Sequence, residues 1–76
     1  MKEVVLLRQL GCYECDFVER QFEQIKPDYP NLVFRAEIAE ADRYPTIVLR
    51  KSGFDIDKLE GLKPISMIKH HIDEYL

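Results

Sequence analysis

Cys12 and Cys15, with Tyr13 and Glu14 between them, are the residues of this chain best suited to chemistry. Two thiols at this spacing can close a structural bridge, help hold a metal, or cycle between dithiol and disulfide. A bridge over so short a loop removes little chain entropy, and secreted mini-proteins normally carry several. Zinc takes about four ligands, and the other candidates are His70 and His71. Neighbours on a helix point about 100° apart, so these two would hardly face one ion together. A cycling pair remains, set against an inert pair that merely fills a corner of the core.

The elements around the pair favour cycling. Glu3 to Leu10 reads as a strand, continuous and β-branched at Val4-Val5-Leu6-Leu7, and Gly11 breaks it. Cys15, Val18, Phe22 and Ile25 then recur at helical spacing, with Asp16, Glu19, Arg20, Glu23 and Gln24 on the other side. This predicts a helix over Tyr13 to Lys26, ended by Pro27. Cys12 thus falls at a helix N-terminus, where unpaired N–H groups and the macrodipole favour a thiolate. Cys15 lies one turn deeper on the same face. The shallower sulfur should attack a substrate disulfide and the deeper one should resolve the mixed disulfide.

Leu32, Phe34, Ala36 and Ile38 alternate with Val33, Arg35 and Glu37, as in a strand with one wet face. Thr46 to Arg50 reads as a third strand, Lys51-Ser52-Gly53 as a hairpin turn, and Phe54 to Leu59 as a fourth strand. In the last, Phe54 and Ile56 are expected to face inward, with Asp55 and Asp57 pointing away. Gly61 and Pro64 bracket the entry to a final helix with the stripe Ile65, Ile68, Ile72 and Tyr75 or Leu76. Met67 and His71 belong to the edge of the core, and His70 to solvent. The order is β-α-β-β-β-α.

Composition narrows the class. The chain has 76 residues, 46% hydrophobic and 33% charged, with net charge −3. Residues 1–76 fit a single small domain, since domains usually run to ~100–200 residues. The apolar content is too high for a disordered tail. No run approaches the ~18 apolar residues of a membrane span, and Val4 to Leu7 is too short for a secretory leader. Net negative charge argues against non-specific nucleic-acid binding. A cytoplasmic, acidic domain is expected, with no nucleic-acid or membrane partner.

Cys12-Tyr13-Glu14-Cys15 at a strand–helix junction, with Tyr44-Pro45-Thr46 before Ile47-Val48-Leu49, resembles the thioredoxin/glutaredoxin family over essentially the whole chain. From Pro45 to Leu76 the likeness includes Lys51, Gly53, Lys58 and Gly61. The resemblance implies a minimal thioredoxin-like α/β fold: a four-stranded mixed sheet with two helices on one face. It implies Cys12 as nucleophile, Cys15 as resolver and Pro45 as a cis-proline. The backbone of Tyr44 would pair with an extended substrate peptide, so Tyr13, Glu14, Tyr44 and Pro45 border the substrate. Tyr13 either lines that groove or simply covers the helix start.

The chain departs from the family pattern in four places. Glu14, with Asp16 and Glu19 nearby, brings negative charge to the forming thiolate. Cys12 is therefore expected to be less acidic than in a typical glutaredoxin, which favours a reductant. Leu6 stands where thioredoxins place a buried acid, so proton transfer at Cys15 would go through water or another group. Glutathione-contact features are incomplete at Gln9-Leu10-Gly11 and at Gly61-Leu62-Lys63, with Arg8 and Lys63 expected as solvated charges. Between Ile38 and Pro45 there is no room for the family's middle helix, so one sheet face should lie open.

The function these features imply is a thiol–disulfide oxidoreductase that reduces protein disulfides. It would need no metal or flavin of its own, taking electrons from a thioredoxin-reductase-type flavoenzyme or a small-thiol donor. A monomer is expected rather than a dimer. The alternative is a redox-silent module that uses the groove around Pro45 to bind a protein.

Overall fold

Val4, Val5 and Leu6 are fully buried in the middle of strand β1 (Lys2–Arg8) of the computed structural model, which describes every residue from Met1 to Leu76. Helix α1 (Tyr13–Ile25) follows, and a 3₁₀ turn at Lys26–Asp28 carries it past Pro27, which is tolerated in a first turn. Strands β2 (Val33–Ile38), β3 (Thr46–Lys51) and β4 (Phe54–Glu60) precede helix α2 (Ile65–Tyr75), entered from Pro64. The sheet order is β2-β1-β3-β4, with β1 parallel to β2 and antiparallel to β3, and β3 antiparallel to β4. This is the expected minimal β-α-β-β-β-α architecture. The first strand ends at Arg8 rather than Leu10, because Gln9 and Leu10 already turn toward the helix.

Both helices cover one face of the sheet. Cys15, Val18, Phe22 and Ile25 of α1, with Ile68 and Ile72 of α2, close over Val4, Leu6, Ile47, Leu49 and Leu59. Burying each such side chain stabilises the fold by about 1.5–3 kcal/mol before entropy is counted. The connection from residue 39 to residue 45 contains no helix, as its length requires.

The opposite face has no helix, yet it is not simply wet. Val5 and Val48 point to it and are buried, at 0% and 3% exposure. A chain of ion pairs lies over them and crosses all four strands. Arg35 holds Glu3 and Glu37, each at 2.7 Å; Arg50 lies 3.6 Å from Glu37 and 2.7 Å from Asp55. The register sets Arg35 beside Val5 and Val5 beside Val48, so the arginine stems screen the two valines. Arg35 hydrogen-bonds Glu37, with Arg50 behind it, and holds that carboxyl below its usual range.

One expectation fails in β4. Phe54 and Ile56 were expected inside, but both are exposed. A bulge shifts the register between Leu49 and Arg50, so Leu49 pairs with Asp57 and Arg50 with Asp55. Ile56 is the extra residue. Beyond it the alternation reverses: Asp57 turns to the helix side, where it meets His71 Nδ1 at 2.7 Å, and Leu59 fills the core. Met67, expected at the core edge, is likewise exposed.

The turn between β3 and β4 has two central residues, Ser52 at φ 53° and Gly53 at φ 84°. Two left-handed residues match the twist of a hairpin, and asparagine offsets the Cβ strain there better than serine because its side-chain amide hydrogen-bonds the local backbone. Ser52→Asn should raise stability by about 0.5 kcal/mol, read as a higher urea midpoint with an unchanged slope.

Tyr29 links the loop after α1 to α2. Its hydroxyl donates to Asp73 at 2.7 Å, and partial burial followed by that bond pushes its pKa up to about 12. An unfolded tyrosine ionises near ~10. The contribution is therefore complete below about pH 10 and is lost as pH rises through about 12. Ultraviolet titration should show one of the four tyrosines ionising late, and Tyr29→Phe should abolish that phase.

Candidate active site

The first helical turn needs partners for its free N–H groups, and a cysteine supplies one. Cys12 is the N-cap of α1 in an extended conformation, and its Sγ accepts the N–H of Cys15 at 3.1 Å. A sulfur placed to accept that bond is placed to be stabilised as a thiolate when the pair is reduced. The two cysteines form a disulfide, with their Cα atoms 5.2 Å apart. Cys12 is half-buried, whereas Cys15 is fully enclosed by the helix-side core. Of the two, Cys12 alone keeps exposed surface.

The core around Cys15 is apolar, and Leu6 belongs to it with no exposed surface. No group of three or more His, Cys, Asp or Glu side chains is gathered into a metal-binding arrangement.

Arg8 corrects the expectation of a solvated charge. At the end of β1 its guanidinium lies 2.9 Å from Asp16 and also pairs with Glu19, with 14% of its side chain exposed. The Asp16 bond leads in keeping it firmly protonated, helped by Glu19. Two of the three carboxylates expected near the thiolate are thus matched by one cation, and Glu14 alone has none. Arg8 also ties β1 to α1, which fixes both ends of the Gln9–Cys12 connection.

Tyr44 and Pro45 come to the same end of the sheet. Leu7 pairs with Thr46, so the segment before β3 lies beside the segment after β1 that leads to the cysteines. The Tyr44–Pro45 peptide is cis, and Pro45 is buried. The Pro45 carbonyl accepts from Gly61 at 2.8 Å, and Gly61 sits at φ 84°, where a side chain would be strained. The Tyr44 hydroxyl donates to the Ala39 carbonyl at 2.6 Å and accepts from Ala41 N–H at 3.1 Å. The backbone N–H and C=O of Tyr44 are paired to nothing within the chain. Tyr13 is 89% exposed and Glu14 is exposed; neither side chain is held by a hydrogen bond.

Gln21 is a positioning residue that pattern reading passed over. It is 6% exposed on α1, and its Nε2 donates to the Lys63 carbonyl at 2.9 Å. It thereby anchors the loop whose Gly61 holds Pro45. Its place three residues after Val18 and beside Phe22 was the available signal.

No protein-family model and no curated sequence matches the chain. Solved structures do match. Against thioredoxin O2 from Arabidopsis thaliana in its oxidised state, identity is 13% and TM-score 0.80, over 99% of this chain and 75% of that one. Against a Plasmodium falciparum thioredoxin, identity is 21% and TM-score 0.81, over 99% and 82%. Against the solution structure of oxidised P. falciparum thioredoxin, the values are 21% and 0.82, over 97% and 80%. The fold is thioredoxin-like.

Removing the charge of Arg8 should disfavour the Cys12 thiolate by leaving Asp16 and Glu19 uncompensated on its helix. In Arg8→Met, alkylation of reduced Cys12 by iodoacetamide near neutral pH should slow about two- to fivefold. Adding Asp16→Asn and Glu19→Gln should restore the rate.

Proposed function

We propose that the chain is a thiol–disulfide oxidoreductase that reduces protein disulfides through Cys12 and Cys15. The observation that carries this reading is the asymmetry of the pair: an accessible sulfur at a helix N-cap joined to one sealed in the core. In the proposed cycle the Cys12 thiolate attacks one sulfur of a substrate disulfide. The substrate S–S bond breaks, one substrate thiol leaves with a proton, and a mixed disulfide remains. Cys15 loses its proton to water and attacks the Cys12 sulfur. The Cys12–Cys15 disulfide forms and the second substrate thiol departs, so two electrons have passed to the substrate. A dithiol flavoenzyme of the thioredoxin-reductase type, or a small thiol, returns them.

The unpaired backbone of Tyr44 supports the way a substrate would be held. A peptide laid beside it as a short strand can satisfy both groups, with Tyr13, Glu14 and Pro45 bordering the reacting sulfur. These features also suit the runner-up, a redox-silent binding module, which differs in having no need for two thiols.

Equilibration in dithiothreitol or glutathione buffers, followed by alkylation and mass measurement, separates the readings. A reversible two-electron step at Cys12 and Cys15 is expected, with a potential near ~−270 mV, the reducing side of the range for such proteins. A potential near ~−120 mV would make the pair an oxidant. No reversible step in any buffer would leave the binding module. Cys15→Ser should trap a mixed disulfide with an oxidised peptide, and Cys12→Ser should not.

A further inference from the structure

The ion pairs over the helix-free face reach Glu37 on one side and Asp55 on the other, and leave Leu7, Thr46 and Glu60 outside that chain of pairs. Where β1 runs on toward the cysteines, Leu7, Thr46 and Glu60 lie in one row, with Glu37 beside Leu7 on β2. A cavity of about 320 Å³ opens there, on the side away from the helices. Leu7 and Ala41, with buried Val48 behind them, line it with apolar atoms, and the exposed Glu40 and Asp42, with Glu60, line it with carboxylates. Asp55 also lines it but is held by Arg50 at 2.7 Å. Lys58, the single cation in the lining, lies 3.8 Å from Glu60. Glu40 and Asp42 are exposed and belong to no ion pair of the chain.

A lining of apolar atoms and carboxylates suits an aliphatic stem with a positive head better than it suits a bare ion. The groove also borders the peptide site. Thr46 in its wall follows Pro45 directly, and the Tyr44 hydroxyl staples the loop that carries Glu40 and Asp42. Lining residues Asp42 and Thr46 thus flank Tyr44 in the chain, so a strand laid along its free backbone would run close to this groove.

We propose that the groove receives a lysine or arginine side chain of the protein whose disulfide is reduced, which makes disulfides flanked by basic residues the preferred substrates. This rests on the oxidoreductase reading above. It gives the short loop after β2 a task in selection, because that loop supplies the two unpaired carboxylates.

The test uses the full chain and two peptides with the same cystine, one flanked by lysines and one by glutamates. At low ionic strength the lysine peptide should show a kcat/KM about tenfold higher, the scale of two exposed charge contacts acting together. In the Glu40→Gln, Asp42→Asn double variant the ratio should fall to about twofold, and in Lys58→Gln it should widen. High salt should erase it. A ratio near one in the wild type, or an unchanged ratio in the double variant, overturns the groove while leaving the oxidoreductase reading standing. If neither peptide is reduced, that reading fails, and a labelled lysine peptide without cysteine judges the groove alone. Binding by fluorescence anisotropy that is lost in the double variant supports it, and equal binding to both proteins overturns it. Dimers in sedimentation that the double variant dissociates would assign the groove to a second copy and overturn the proposal.

Discussion

The ion-pair chain from Glu3 through Arg35, Glu37 and Arg50 to Asp55 lets this sheet keep Val5 and Val48 dry without a second layer of helices. Exposed ion pairs taken singly contribute at most about 1 kcal/mol. Here their value lies in position, since the aliphatic stems of Arg35 and Arg50 lie over apolar surface while the charges satisfy one another. A 76-residue chain has little material for a second core. Once charged side chains shield the far face, the connection between β2 and β3 is free to be short. That short connection delivers Tyr44 and Pro45 beside the end of β1.

The same one-sided burial sets the character of the cysteine pair. Because the helices and the core lie on a single face, α1 must point Cys15 inward with Val18 and Phe22, and its N-cap must stand at the sheet end. One sulfur is sealed and one is accessible without any dedicated pocket. Gln21 and Gly61 then hold the opposing loop, through the Lys63 and Pro45 carbonyls, against the elements that carry the pair. The first contact needs the Gln21 side chain and the second a residue that tolerates φ 84° at position 61.

Element order and the place of the two cysteines were legible from local periodicity and turn residues; the helix-covered face and the missing middle helix came from the resemblance to thioredoxin-like proteins and the short stretch between Ile38 and Pro45. The bulge in β4 was not. Alternation in Phe54 to Asp57 is regular, and only pairing with β3 makes Ile56 the extra residue and sends Asp57 toward His71. Arg8 was misread for a related reason: an arginine at a strand end looks solvated until the helix brings Asp16 and Glu19 back over it. That strands one and three offer apolar residues to both faces, Val48 among them, was legible; what covers the far face was not, because it consists of charged residues far apart in sequence. In each case a long-range partner overrode a sound local reading.

Two groups of carboxylates near the sheet end are treated differently, and the difference has a physical logic. Asp16 and Glu19 lie on the helix that carries the cysteines, where uncompensated negative charge would oppose a thiolate; Arg8 neutralises much of it. Glu40 and Asp42 lie beyond Tyr44 on the far side of the sheet and have no such cation. Charge there stands beside the path that the proposed peptide would take. Screening weakens interactions between exposed charges over about 8–10 Å at ordinary ionic strength, so near neighbours feel an unpaired carboxylate most. Asp16 and Glu19 are thus compensated, while Glu14 between the cysteines and Glu40 and Asp42 after β2 stay bare. In the proposed cycle, Cys12 would attack with a thiolate set chiefly by its own helix, while the loop held by Tyr44 biases which disulfide is presented to it.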